Sequence, residues 1–400
     1  MFDRIRKVPR TIWALGFVSM FMDISSEMIH SLLPVFLVTV LGASPALLGL
    51  IEGLGEAVAS ITKVFSGWLS DRLGRRKLLT LLGYGLAAIT KPIFPLASTP
   101  YEVLAARLVD RLGKGLRDAP RDALVADVTP PKVRGAGFGL RQALDTAGGF
   151  IGPLAAIGLM AAFNDNMRAV FAVAIIPATV AVLVLAFGVK ETASSRQAKA
   201  AKAPISWSEV QSIGMAFWIA VAVGVLFTMA RFSEAFLVLK GSIVGIPLAM
   251  LPFVYIVMNV VSSMVSTPAG SLSDSLGRKA LLASGIAVLI IADGVLALTG
   301  SVVGVLVGVA LWGLHLGLTQ GLFAALVADT APVRLRGTAF GLFNLATGVT
   351  TLVASLLAGA IWSARGASVT FLTGGCFALI ALLGVITMLK EKRAEALART

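Results

Sequence analysis

The segment Gly67-Trp68-Leu69-Ser70-Asp71-Arg72-Leu73-Gly74-Arg75-Arg76-Lys77 returns half a chain later as Gly270-Ser271-Leu272-Ser273-Asp274-Ser275-Leu276-Gly277-Arg278-Lys279, in a chain of 400 residues. Each copy is polar, punctuated by glycine and set between long apolar runs. A repeat of this kind makes the chain two versions of one membrane module, an arrangement many secondary transporters use to alternate access across a bilayer. Further matches follow in the same order. Ala123–Asp127 recurs as Ala325–Asp329, and Arg134-Gly135 with Phe138-Gly139-Leu140 recurs as Arg336-Gly337 with Phe340-Gly341-Leu342. Ser26-Glu27 is echoed by Ser233-Glu234.

With 57% hydrophobic residues, 14% charged and a mean hydropathy of +0.90, apolar runs long enough to cross a bilayer (~20 residues) fill most of the chain. Read against their polar breaks they give twelve expected spans: 11–41, 45–70, 77–98, 101–127, 132–162, 167–189, 208–239, 243–270, 279–299, 303–327, 335–363 and 367–389. This is an all-α integral membrane chain in two pseudo-symmetric six-helix bundles, 1–189 and 207–400, joined by an Ala-, Lys- and Ser-rich linker at 190–206. The net charge of +13 belongs to topology rather than to nucleic acid. Most of the 34 Lys and Arg cluster in the N-terminal tail, at Arg72–Lys77, at Lys132 and Arg134, across Lys190–Lys202, at Arg278–Lys279 and Arg334–Arg336, and in the C-terminal tail. By the positive-inside rule those segments and both termini are cytoplasmic. The first apolar run lacks a small-residue cleavage site and is read as a retained span. Lone Cys376 excludes an intrachain disulfide and a multi-cysteine metal site. Gly113-Lys114-Gly115 lacks the spacing of a phosphate loop, so neither nucleotide hydrolysis nor any other enzymatic activity is expected, and no cofactor.

These motifs resemble the major facilitator superfamily over essentially the whole chain. Gly67, Asp71, Arg72, Gly74, Arg75 and Arg76 match that family's cytoplasmic loop between helices 2 and 3. Gly270, Asp274, Gly277, Arg278 and Lys279 match the weaker copy between helices 8 and 9, with Ser275 at a usually basic position. Arg107 stands where the family's helix-4 arginine motif begins, although Arg111 occupies a usual glycine position. Two glycines permit a tight turn and close helix approach. Asp71 is positioned to pair with Arg75 or another basic neighbour. The resemblance implies a gating latch made of Gly67, Asp71, Arg72, Gly74, Arg75, Asp127 and Arg134, with Asp274 and Arg278 in the second copy.

Ionisable groups within spans are costly and are functional candidates by default. Span 1 carries Asp23, Glu27 and His30 along one helical face, and span 2 carries Glu52, Glu56 and Lys63 along another. Span 3 has Lys91, and span 5 has Arg141 and Asp145 one turn apart. Span 4 holds Arg107, Asp110, Arg111, Lys114, Arg117, Asp118, Arg121 and Asp122, so it must line the transport path or pair with spans 1, 2 and 5. The second half has far fewer charges, chiefly Arg231, Glu234 and Asp293. Asp23, Glu27 and Asp145 are the expected proton-coupling residues. The expected substrate-binding set is His30, Glu52, Glu56, Arg107, Asp110, Arg111, Lys114, Arg141, Arg231 and Glu234. A structural network that merely neutralises the span-4 cations competes with both assignments.

Gly148, Gly152 and Pro153 match the helix-5 antiporter motif of the superfamily, with Ala156 replacing its last glycine. Small residues at this spacing allow close helix packing, expected here against span 8. The resulting expectation is a monomeric, proton-coupled antiporter of the cell membrane (a bacterial inner membrane) that exports small amphipathic organic compounds by alternating access. The alternatives are a carrier of organic anions or phosphorylated metabolites held by Arg107, Arg111 or Lys114, and a divalent-metal exporter built on Asp23, Glu27 and His30. A receptor or scaffold without transport explains neither the buried charges nor the doubled loop.

Overall fold

The computed structural model describes residues 8–130, 133–189, 213–319, 322–332 and 335–397. The linker at 190–206, Lys132 and the tail through Lys7 lie outside the described residues, as do the side chains of Asp71, Arg134 and Asp274. Among the described residues the chain is helical with no strand. The main helices are α1 (Arg10–His30), α2 (Pro45–Leu73), α3 (Arg76–Thr90), α4 (Pro100–Val128), α5 (Arg134–Ala162), α6 (Met167–Gly188), α7 (Met215–Ala230), α8 (Phe253–Leu276), α9 (Arg278–Leu298), α10 (Val302–Thr319), α11 (Arg336–Arg365) and α12 (Ala367–Leu397). Ten of the corresponding segments are long and apolar enough to cross a membrane. The remaining two, α2 and α4, are 29 residues each and are the helices that carry the charge stripes. The twelve helices lie at the positions of the twelve expected spans. Several are interrupted, since backbone in a bilayer tolerates a break only where neighbouring protein covers it. The span of α1 turns at Ser31–Leu32 and continues as Leu33–Val35 and Phe36–Val40. That of α7 opens between Arg231 and Glu234 before Ala235–Ile243.

The chain divides into two compact units. One comprises 1–43, 54–203 and 247–253; the other comprises 44–53, 204–246 and 254–400. In the first, α1 packs on α5 and α6, and α3 packs on α4. Its apolar core joins Ile12, Leu15, Val18 and Met22 of α1 to Tyr84, Leu124 and Leu185. In the second, α9 packs on α10 and α12, and α7 on α11 and α12. Large apolar side chains such as Ile89, Phe187 and Leu298 are 72%, 84% and 84% exposed, an outside suited to lipid tails rather than water.

Glycine explains how a helix as charged as α4 enters this packing. A Cβ on Gly115 would lie 2.5 Å from the Ala59 carbonyl oxygen of α2, and one on Gly113 would lie 2.5 Å from the Gly83 oxygen of α3. Both contacts require backbones closer than any side chain permits, and they lock α4 between its neighbours. The second unit repeats the first of them: a Cβ on Gly317 of α10 would lie 2.7 Å from the Ser262 oxygen of α8.

Candidate transport site

The repeated loop has the same construction in both units. Gly74 and Gly277 occupy equivalent positions and both have positive φ, +60° and +85°, so each turn uses a backbone region that side chains disfavour. Within two residues of it a basic residue reaches the end of the helix two further along. Arg76 Nη1 lies 2.5 Å from Asp127 Oδ2 and donates to the Ala123 carbonyl at 2.8 Å, tying the start of α3 to the end of α4. Arg278 pairs with Asp329 in the matching place of the second unit. The expected pairing of Asp71 with Arg75 or another basic neighbour falls on a side chain outside the described residues; the loop cation that reaches Asp127 is Arg76. Arg72 instead lies over the Trp68 ring at 5.3 Å.

Within the first unit the charge stripe of α4 is distributed over its neighbours. Arg111 Nη1 is 3.3 Å from Glu56 on α2, and its Nη2 is 2.5 Å from His30 Nε2 on α1. An arginine only donates, so that imidazole nitrogen accepts and His30 is neutral there. Glu27 stands 4.0 Å from the other ring nitrogen. The result is a chain from Glu27 through His30 and Arg111 to Glu56 across three helices. Gly55 makes room for it: a Cβ there would meet the stems of Arg111 and Arg107 at 3.2 and 3.5 Å.

A second cluster lies along α3, a helix that the charge pattern alone did not single out as a partner of α4. Lys91 Nζ is 3.1 Å from Asp110 Oδ1 with both side chains buried, and it also donates to Ser26. Arg117 lies 4.4 Å over the Tyr84 ring, and Arg121 reaches the Tyr84 and Ser19 hydroxyls at 3.3 and 3.2 Å. Asp118 and Asp122 flank Arg121. Arg141 of α5 bonds Asp145 at 2.9 Å and approaches Asp122 at 3.8 Å. Tyr84, Ser19 and Ser26 were absent from the expected site; Ser26 had a sequence signal only as part of the repeated Ser-Glu pair, and neutral hydroxyls such as Ser19 and Tyr84 in an apolar helix send none.

These pairings divide the carboxylates. Glu56, Asp110, Asp118, Asp122 and Asp145 each have a lysine or arginine within 4.0 Å, whereas Asp23 has no ion pair and Glu27 has only His30, among the described residues. The charges acting on Asp23 from further off are those of Asp145, Arg117, Lys114 and Arg121. Asp23 and Glu27 also rest on the glycine motif of α5. A Cβ on Gly148 would lie 3.0 Å from the Asp23 Cβ, and one on Gly152 would lie 2.6 Å from that of Glu27. These two glycines were expected against span 8; the contact they make is with α1. Among the described residues no three His, Cys, Asp or Glu side chains converge as metal ligands.

In the second unit Arg231 sits in the break after α7, its guanidinium 5.5 Å over the Phe227 ring, with Glu234 three residues on. Phe227 also meets buried His315 at 5.8 Å.

A duplicated twelve-helix membrane protein, with a charged path in one half and matching loop clamps in both, defines the class: a secondary transporter. The Major Facilitator Superfamily profile matches residues 15–346 and 235–399, and the chain belongs to that family. It is 31% identical over 386 residues, 94% of each chain, to an uncharacterized MFS-type transporter of Methanocaldococcus jannaschii. A shorter match, 32% identity over 126 residues, covers 32% of this chain and 31% of the multidrug resistance protein MdtH of Photorhabdus laumondii. Among solved structures, a mutant of the nucleoside transporter NupG superimposes with a TM-score of 0.80 at 12% identity, covering 94% of this chain and 99% of that one. At that identity the likeness is one of fold.

Proposed function

We propose that this transporter couples proton entry to export of small amphipathic organic compounds. The carrying observation is the division of the carboxylates. Six acids in the first unit, Asp127 among them, are held by cations, while Asp23 and Glu27 stand on one face of α1 without a lysine or arginine partner among the described residues. An acid not committed to a structural pair is free to exchange a proton, and Glu27 is linked through His30 to Arg111, so its charge bears on a network spanning three helices. Both acids sit on the α5 glycines that match the antiporter motif, and the partial similarity to a multidrug resistance protein supports drug-like organic substrates. In this reading the chain works as a monomer in the cell membrane, with both termini cytoplasmic, and the Arg76–Asp127 and Arg278–Asp329 clamps brace the loops that move as access alternates.

The test is ethidium efflux from everted vesicles or proteoliposomes under an imposed pH gradient. Gradient-dependent movement that collapses when a protonophore is added supports the proposal. Absence of movement under any gradient, for ethidium and for a panel of lipophilic cations, overturns it. Saturable uptake of organic anions, lost in Arg107→Ala or Arg111→Ala, would replace it with the anion-carrier reading.

A further inference from the structure

Asp293, in the second unit, is an acid that no part of the proposed mechanism uses. Asp293 lies on α9 and is 0% exposed, and neither of its carboxylate oxygens has a hydrogen-bond partner. No ion pair reaches it among the described residues. The elements packed against it offer little that would hold a charge. Their titratable groups are Arg231 and Glu234 at the α7 break, His315 on α10 and, on α12, the exposed thiol of Cys376. Arg231 faces the Phe227 ring, and both nitrogens of His315 lack partners, its ring lying edge-on to Phe227 and Trp312.

What Asp293 does touch is aromatic wall and open backbone. A Cβ on Gly374 of α12 would lie 2.9 Å from Asp293 Oδ2, 2.9 Å from Phe232 Cε1 and 3.3 Å from the Ala230 carbonyl oxygen. Phe232 in turn packs on Trp312, Phe371 and Phe236 with ring centroids 5.6 Å apart in each case. Glycine at 374 therefore keeps open the space between the carboxyl and the last carbonyl of α7. An ionised carboxylate with neither donor nor cation against it is among the least stable groups a protein interior can hold, so the species that packs here is the neutral acid. An acid with only a structural role would be expected to use its oxygens, and this one uses neither.

Its position points to a function. Ala230 and Phe232 bracket the place where the α7 span loses helical form, and such breaks are where transporter helices change shape. Rearrangement there moves the wall of the Asp293 site, and it moves Arg231, one residue away, in the same step. The acid is thus loaded in the packing seen here and is placed to meet water or a cation when the break rearranges. We propose that Asp293 is a second proton-binding site of the transport cycle, lying in the second unit and gated by the α7 break. The proposal rests on the proton-coupled reading and extends it to the half of the chain that carries few charges.

Infrared difference spectroscopy of the full chain in lipid tests it without a substrate. A protonated-carboxyl band that shifts on exchange into D2O is expected in the unaltered protein and in Asp23→Asn, and it should be lost in Asp293→Asn. Gly374→Ala, which crowds the carboxyl against Phe232, should shift the same band, and it serves as the reporter if Asp293→Asn does not fold. A band unchanged in Asp293→Asn and in Gly374→Ala overturns the proposal. In vesicles, Asp293→Asn should lower protons moved per ethidium by about a factor of two, as expected for loss of one of two sites; an unaltered proton yield beside a lost band would make Asp293 a structural acid and also overturn it. If the unaltered protein moves no ethidium under any gradient, the export reading fails, and the infrared result still decides whether Asp293 holds a proton.

Discussion

Asp110 and Lys91 show how single residues in this chain separate structure from function. Both are buried, bonded to each other at 3.1 Å, and set between α4 and the end of the α3 span. Removing one partner leaves an uncompensated buried charge, a loss of about 3–5 kcal/mol, whereas replacing both with apolar groups is often neutral. Lys91→Met should therefore lower the melting temperature of the purified protein sharply, and Lys91→Met with Asp110→Leu should recover most of it. Asp23 and Glu27 should behave in the opposite way. Asp23→Asn and Glu27→Gln are expected to leave melting nearly unchanged while flattening the pH dependence of ethidium efflux; a pH profile like that of the unaltered protein in both would remove them as proton carriers. The charges themselves were legible in the sequence, as was the one-turn spacing of Arg141 and Asp145, but pairing between helices was not. Asp145 reads as a coupling acid by its position in span 5, yet it is bonded to Arg141, and Asp110 reads as a substrate ligand, yet Lys91 holds it. Helical periodicity places a side chain on a face and leaves undetermined which helix that face meets.

At the scale of elements, glycine sets the helix contacts. A Cβ on Gly83 would come within 2.6 Å of the Arg117 Cβ and of the Gly113 oxygen. Gly83→Ala must push α3 from α4, an overpacking cost of about 1–3 kcal/mol, and should appear as a lower melting temperature with weakened expression. Gly152→Ala meets the Glu27 Cβ and the Ile24 oxygen at 2.6 and 2.9 Å, so it should disturb α1 and change efflux as well as stability. The antiporter-like spacing of Gly148, Gly152 and Pro153 was visible in the sequence. That it seats α1 and its two unpaired acids emerges only from the packing. The break after α7 was likewise hidden, since Met215–Ile243 is continuous in hydropathy and contains no proline before the turn.

For the whole molecule, the duplication carries a specific prediction. Arg76–Asp127 and Arg278–Asp329 are similar clamps, made by neighbouring positions of the repeat, each within two residues of a glycine of positive φ. Arg76→Ala and Arg278→Ala should each slow efflux by altering the exchange of access rather than binding, so ligand-induced thermal shifts should survive while turnover falls. Replacement of Gly74 or Gly277 by alanine should cost about 1–2 kcal/mol through the left-handed backbone alone. A thermal-shift screen of the full chain against lipophilic cations, organic anions and divalent metals would sort the substrate classes, because a ligand stabilises the state that binds it.

The sequence by itself determined the membrane class, the twelve spans, the duplication and the family, because each rests on local composition or on a repeat read along one dimension. Loop chemistry was equally accessible, since a glycine that must take positive φ and a neighbouring basic residue lie side by side in the chain. Tertiary structure alone decided which acids are neutralised and which are left over. Ion pairing depends on distances between helices, and those distances are set by backbone approach at glycines such as Gly55, Gly83 and Gly115. Asp293 is the sharpest case. In sequence it is one aspartate in an apolar span of a half that carries few charges; in the fold it is a fully buried acid with no partner among the described residues, beside a broken helix.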